Sequence, residues 1–132
     1  MGEFIVLLVD DEKDIRETLA KRLAKRNIEA HGVESGEAAL AYLAENEVDV
    51  VLLDVRMPGM DGIATLEAIK KARPFVEVVM LTGHASVEAA LQGLELGAFD
   101  YLMKPADIDE LLYKLQDAYK RKALRERRLR PK

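Results

Sequence analysis

Val48-Asp49-Val50-Val51-Leu52-Leu53-Asp54 reads as a buried β-strand that stops on a carboxylate. Its run is nearly all apolar rather than alternating, as expected of a central parallel strand covered on both faces. Phe4–Val9 has the same character and stops on Asp10-Asp11. Val76–Leu81 leads into Thr82, and Ala98–Met103 leads into Lys104-Pro105. An acid pair, a lone aspartate, a hydroxyl and a lysine therefore follow one another at strand ends. In an open α/β sheet, the carboxyl ends of parallel strands converge on one crevice.

The segments between these strands carry helix patterns. Ile15, Leu19 and Leu23 recur every four residues, which predicts an amphipathic helix over about 13–26. Ile28–Val33 reads as a short second strand. Ser35 is placed to cap a helix over Gly36–Glu45, with Ala39, Leu40 and Leu43 facing inward. Met57-Pro58-Gly59-Met60-Asp61-Gly62 is a turn, and a helix over 62–72 stops before Pro74. The pattern continues with strand 75–81, helix 86–96 capped by Ser86 and ended by Gly97, strand 98–103, and a helix from Asp107. Five βα units in one short chain predict a doubly wound parallel sheet with helices on both faces. Strand order 2-1-3-4-5 puts the switch point between strands one and three, where the acid pair and Asp54 lie.

Bulk properties agree. The 132 residues suffice for one domain with a real core. Cysteine is absent, which excludes disulfides and thiolate metal sites and fits a cytoplasmic location. No apolar run approaches the roughly 20 residues of a membrane helix. Net charge is −4 but unevenly spread: residues 120–132 carry +7 and residues 1–119 carry −11. A basic tail invites a nucleic-acid reading. Cations also suit a solvated helix end, and no aromatic residue lies past Tyr119 to stack on bases. The acidic body argues against direct nucleic-acid binding by the globule.

Three carboxylates meeting in one crevice repel one another unless a cation joins them. A hard divalent ion, most simply Mg²⁺, suits such an all-oxygen pocket. Together with a hydroxyl and a lysine, the set points to phosphoryl chemistry on a carboxylate.

The strings VDDE at 9–12, LLDVRMPGMDG at 52–62, LTGH at 81–84 and DYLMKP at 100–105 resemble the receiver domain of bacterial two-component response regulators. The resemblance spans roughly residues 4–120, with every signature in order. The DVRMPGMDG, TGH and GAFDYLMKP strings resemble most closely the receivers of nitrogen-regulatory, enhancer-binding transcriptional activators. Ala106 departs from the pattern, since such receivers often carry Phe after Lys-Pro.

The resemblance implies a flavodoxin-like (βα)5 fold and a set of roles. Asp54 would be the phosphoacceptor, attacking a phosphohistidine on a sensor histidine kinase. Asp10, Asp11, Asp54 and the backbone carbonyl of Arg56 would hold Mg²⁺. Thr82 would donate its hydroxyl to a phosphoryl oxygen, and Lys104 would pair with another. The Lys104–Pro105 bond would be cis. Tyr101 would swing inward as Thr82 moves toward the phosphate, although its residue-level reading is simply a half-buried strand aromatic. Residues 1–119 would form the receiver and 120–132 a basic helical extension or the start of a linker. The output domain would lie outside this chain, and a homodimer would use the face made by helix 86–96, strand 98–103 and helix 107–119.

Other readings weigh against this one. His84 reads as a rim residue, because His31 lies on a different strand and no metal spacing exists. Met57 and Met60 read as loop packing. Arg56 either lies over the phosphoryl oxygens and excludes water or points to solvent. A haloacid-dehalogenase-type phosphatase also uses Asp, Mg²⁺, Thr and Lys, but wants a second Asp where Arg56 stands. A phosphorylation-independent adaptor predicts a damaged pocket, and this one is complete.

Overall fold

The computed structural model describes residues 4–56, 61–83 and 87–129. Ten elements alternate along the chain: β1 (Ile5–Val9), α1 (Lys13–Ala24), β2 (Glu29–Val33), α2 (Gly36–Glu45), β3 (Val50–Asp54), α3 (Gly62–Ala72), β4 (Glu77–Thr82), α4 (Val87–Glu95), β5 (Asp100–Met103) and α5 (Ile108–Leu129). The five strands form one parallel sheet in the order β2-β1-β3-β4-β5. This is the flavodoxin-like doubly wound arrangement that the strand and helix patterns predict.

Side chains alternate across the strands, so each central strand feeds two cores. Leu7, Val9, Val51, Leu53, Val78 and Met80 pack against residues of α2, α3 and α4, including Ala39, Leu43, Leu66, Ile69 and Ala90. Val6, Leu8, Val50, Leu52, Val79 and Leu81 pack on the other face against Leu23 of α1 and Leu111, Leu115 and Ala118 of α5. Burial on both faces explains why the central strands read as continuous apolar runs.

Element ends follow local chemistry. The Ser35 hydroxyl accepts from the Ala38 N–H at 3.0 Å, capping α2 where the sequence places it. Asp61, read only as part of a turn, caps α3 by accepting from the Ala64 N–H at 2.8 Å. Gly62 is required there, because a Cβ would lie 2.5 Å from the Val55 carbonyl oxygen. Gly97 takes φ +112° just past α4, a conformation that suits glycine. The turn residues 57–60, the rim residue His84 and the proposed cap Ser86 lie outside the described residues.

Every strand begins one or two residues later than the apolar runs predict, at Ile5, Glu29, Val50, Glu77 and Asp100. The Val76 N–H bonds back to the Arg73 carbonyl, so the chain is still turning there and β4 begins at Glu77 and ends on Thr82. Helix α5 continues unbroken past residue 119 to Leu129.

Candidate functional site

Asp10 follows β1, Asp54 ends β3, Thr82 ends β4 and Lys104 follows β5, all at the carboxyl edge of the sheet. The parallel register sets this convergence: Val9 pairs with Leu53, Asp54 with Leu81, and Thr82 with Met103. Asp10 and Asp54 are buried and Asp11 is exposed. Carboxylate oxygens of the three lie within 4.8 Å of one another. The Lys104 ammonium is 3.3 Å from Asp54 Oδ1 and 3.8 Å from Asp10 Oδ2.

Asp54 Oδ1 also accepts the Arg56 N–H at 3.2 Å, and Asp10 Oδ1 accepts the Glu12 N–H at 2.8 Å. Burial pushes the Asp54 carboxyl above its ordinary pKa. Lys104 and the Arg56 N–H pull it down, and Asp10 adds to the rise. Asp10 Oδ2 is buried, with no hydrogen-bond partner among the described residues. At 3.8 Å, Lys104 gives it charge without a bond. A buried carboxylate oxygen without a donor is costly. Beside two further carboxylates, it suits a hard cation with oxygen ligands, so the residues present fit Mg²⁺.

The pocket can therefore hold a divalent cation, present a carboxylate nucleophile, and offer an ammonium and a hydroxyl to the oxygens of a transferring group. Thr82 is buried, and its hydroxyl donates to the Gly83 carbonyl at 3.1 Å. The Lys104–Pro105 peptide is cis, and the Lys104 N–H donates to the Thr82 carbonyl at 2.8 Å.

A sequence profile described as "Response regulator receiver domain" matches residues 6–116. The chain belongs to the response regulator receiver family. The receiver is 46% identical over 110 residues to the DNA-binding transcriptional regulator NtrC of Salmonella typhimurium, covering 83% of this chain and 24% of that protein. It superposes on NtrX from Brucella abortus in complex with ADP at a TM-score of 0.90 and 33% identity, covering 98% of this chain and 30% of that one. The receiver domain of the Francisella response regulator 1452 gives a TM-score of 0.82 at 34% identity, covering 90% and 98%. The chain spans about a quarter of the length of the curated relatives it matches. It is thus a receiver domain of the NtrC/NtrX type. No helix among the described residues is long and apolar enough to cross a membrane.

The receiver brings Asp10, Asp11, Asp54 and Lys104 into one cluster, with Thr82 at the same sheet edge. Arg56 contributes its N–H to that cluster, while its side chain is exposed and makes no ion pair among the described residues. Tyr101 is half-buried and packs on the core that faces α4. Ala106 lines an apolar groove with Ile15, Leu19, Leu81 and Pro105, beside Lys104. One supporting residue escaped the sequence reading: the Arg16 guanidinium donates to the Asp10 carbonyl at 2.8 Å, tying α1 to the acid loop. Its signal was a cation one helical turn into α1, five residues after the acid pair.

Proposed function

We propose that this receiver is a phosphoacceptor switch in a two-component system, with Asp54 as the residue that carries the phosphate. The Asp54 carboxylate attacks phosphorus of a phosphohistidine on a sensor histidine kinase. An O–P bond forms, the P–N bond breaks, and its electron pair returns to the imidazole. Lys104 faces one phosphoryl oxygen and the Thr82 hydroxyl turns from Gly83 to another. Asp10, Asp11, Asp54 and the Arg56 carbonyl would hold Mg²⁺. When bound, Mg²⁺ neutralises charge on the transferring oxygens and aligns the donor. The product adds between one and two negative charges beside Lys104, which biases the protein toward the state that pairs them better. Thr82 and Tyr101 carry that bias to the α4–β5–α5 face. The output, by analogy with the DNA-binding transcriptional regulator NtrC, is control of transcription in the cytoplasm through a domain outside this chain.

The observation that carries this reading is the convergence of three carboxylates around a lysine, with one buried oxygen of Asp10 lacking a donor. Incubation with a small phosphodonor and Mg²⁺, followed by intact-mass measurement, tests it. A single lasting phosphate that disappears in Asp54→Asn is expected. Rapid turnover of the donor would indicate a phosphatase, and no mass change an adaptor. Full labelling of the Asp54→Asn protein would overturn the assignment.

A further inference from the structure

The opposite edge of the sheet holds a second charged cluster that the site chemistry does not use. Asp49, just before β3, and Glu77, the first residue of β4, are neighbours there, with the Glu77 N–H donating to the Asp49 carbonyl at 3.3 Å. Glu77 is 1% exposed. Its carboxylate lies 3.1 Å from Arg125, 3.4 Å from Arg121 and 3.6 Å from Lys70. Asp49 receives the Lys122 ammonium at 2.9 Å on one oxygen and the Ile5 N–H at 2.8 Å on the other. Lys122 is buried and also pairs with Glu126 at 3.1 Å. The Arg121 and Arg125 guanidinium groups lie over the rings of Phe99 and Phe75, 5.8 and 5.4 Å from the centroids.

These contacts fall on a segment built of good helix formers whose charges are strongly one-sided. Residues 120–129 hold six Lys or Arg and one Glu, with Arg121 and Arg125 one turn apart. Like charges at that spacing weaken a helix, so the last turns of α5 fray more readily when those cations are left unpaired. Among its described side chains the one large aliphatic residue, Leu124, is about half exposed and gives little apolar anchorage.

We propose that Asp49 and Glu77 form an electrostatic clamp that holds residues 120–129 helical and docked, making them a rigid arm at the amino edge of the sheet. The arm extends α5 by roughly 15 Å at the helical rise. Three of its cations pair with carboxylates of the domain, Lys122 buried and Arg121 and Arg125 partly exposed. Glu77 and Thr82 are the two ends of β4, so the anchor of the arm and the hydroxyl of the phosphoacceptor site share one strand.

Amide hydrogen exchange on the 132-residue chain tests the clamp, with Glu77→Gln keeping the shape and removing the charge. Amides of 120–129 should exchange at least about tenfold faster in the variant, while those of 108–116 keep their wild-type rates. Unchanged exchange over 120–129 would overturn the proposal, as would an acceleration shared equally by 108–116. If the variant does not fold, the wild-type protein decides. Raising NaCl from about 0.05 M to about 1 M should selectively accelerate 120–129, because Arg121 and Arg125 are partly exposed to screening. Equal rates at both salt concentrations would sink the clamp. Neither readout involves Asp54, so the outcome is independent of the phosphoacceptor reading.

Discussion

Replacing Asp54 with Asn should stabilise the metal-free protein, although Asp54 is the residue assigned to the chemistry. At an effective dielectric of about 20, the Lys104–Asp54 pair at 3.3 Å contributes about 5 kcal/mol of attraction. Repulsion from Asp10 and Asp11, at no more than 4.8 Å, comes to about 3.5 kcal/mol or more each. Asp11 is exposed, so solvent screens its share, and the excess of repulsion is about 1–2 kcal/mol. Burial of the Asp54 charge adds a cost of the same sign. Asn keeps the acceptor that meets the Arg56 N–H and Lys104 while removing the charge.

For a chain of this size, that should raise Tm by about 3–8 °C in EDTA at neutral pH. The pH dependence follows from the sign of the shift. Folding raises the Asp54 pKa, so its penalty is fully present above the folded pKa and absent below the unfolded one. The advantage of the Asn protein should therefore shrink as pH falls through the folded pKa. Saturating Mg²⁺ should reverse the order, since binding stabilises the wild-type protein by mass action. Scanning calorimetry with and without Mg²⁺ measures all three effects. An Asp54→Asn protein that melts at or below the wild type in EDTA at neutral pH would refute the charge-crowding argument.

Asp11→Ala should melt at an equal or higher temperature without metal and lose most of the Mg²⁺-induced shift; an undiminished shift would remove Asp11 from the ligand set. Gly62→Ala should destabilise by about 2–4 kcal/mol in urea unfolding, because its Cβ meets the Val55 backbone at 2.5 Å; a loss under about 0.5 kcal/mol would mean that the loop yields freely. Phosphorylation should promote self-association through the α4–β5–α5 face, where Leu91 and Tyr113 are exposed, and light scattering that gives one molecular weight with and without a stable phosphate mimic would count against it.

Much of the site was legible because it follows from periodicity. In a doubly wound parallel sheet, a residue that ends a strand has its place decided by the topology, so finding Asp10, Asp54, Thr82 and Lys104 at strand ends was enough to bring them to one edge. Arg16 was less legible, because a guanidinium on an amphipathic helix looks like any solvated cation until its acceptor, the Asp10 carbonyl, is in place.

The amino-acid sequence by itself determined the order of elements, the parallel sheet and the residues of the acid pocket, because apolar runs, caps and turn residues are local signals that act within a few positions. It also held the basic segment 120–132, but as a charge balance with no address. Tertiary structure alone decided where those cations go: Lys122 meets Asp49 across 73 residues of chain, and Arg125 meets Glu77 across 48. It alone decided that Asp10 would keep a buried oxygen without a donor. Ion pairing and desolvation depend on which groups share a volume. For residues so far apart in sequence, that is settled only when the sheet closes and α5 lies down along it.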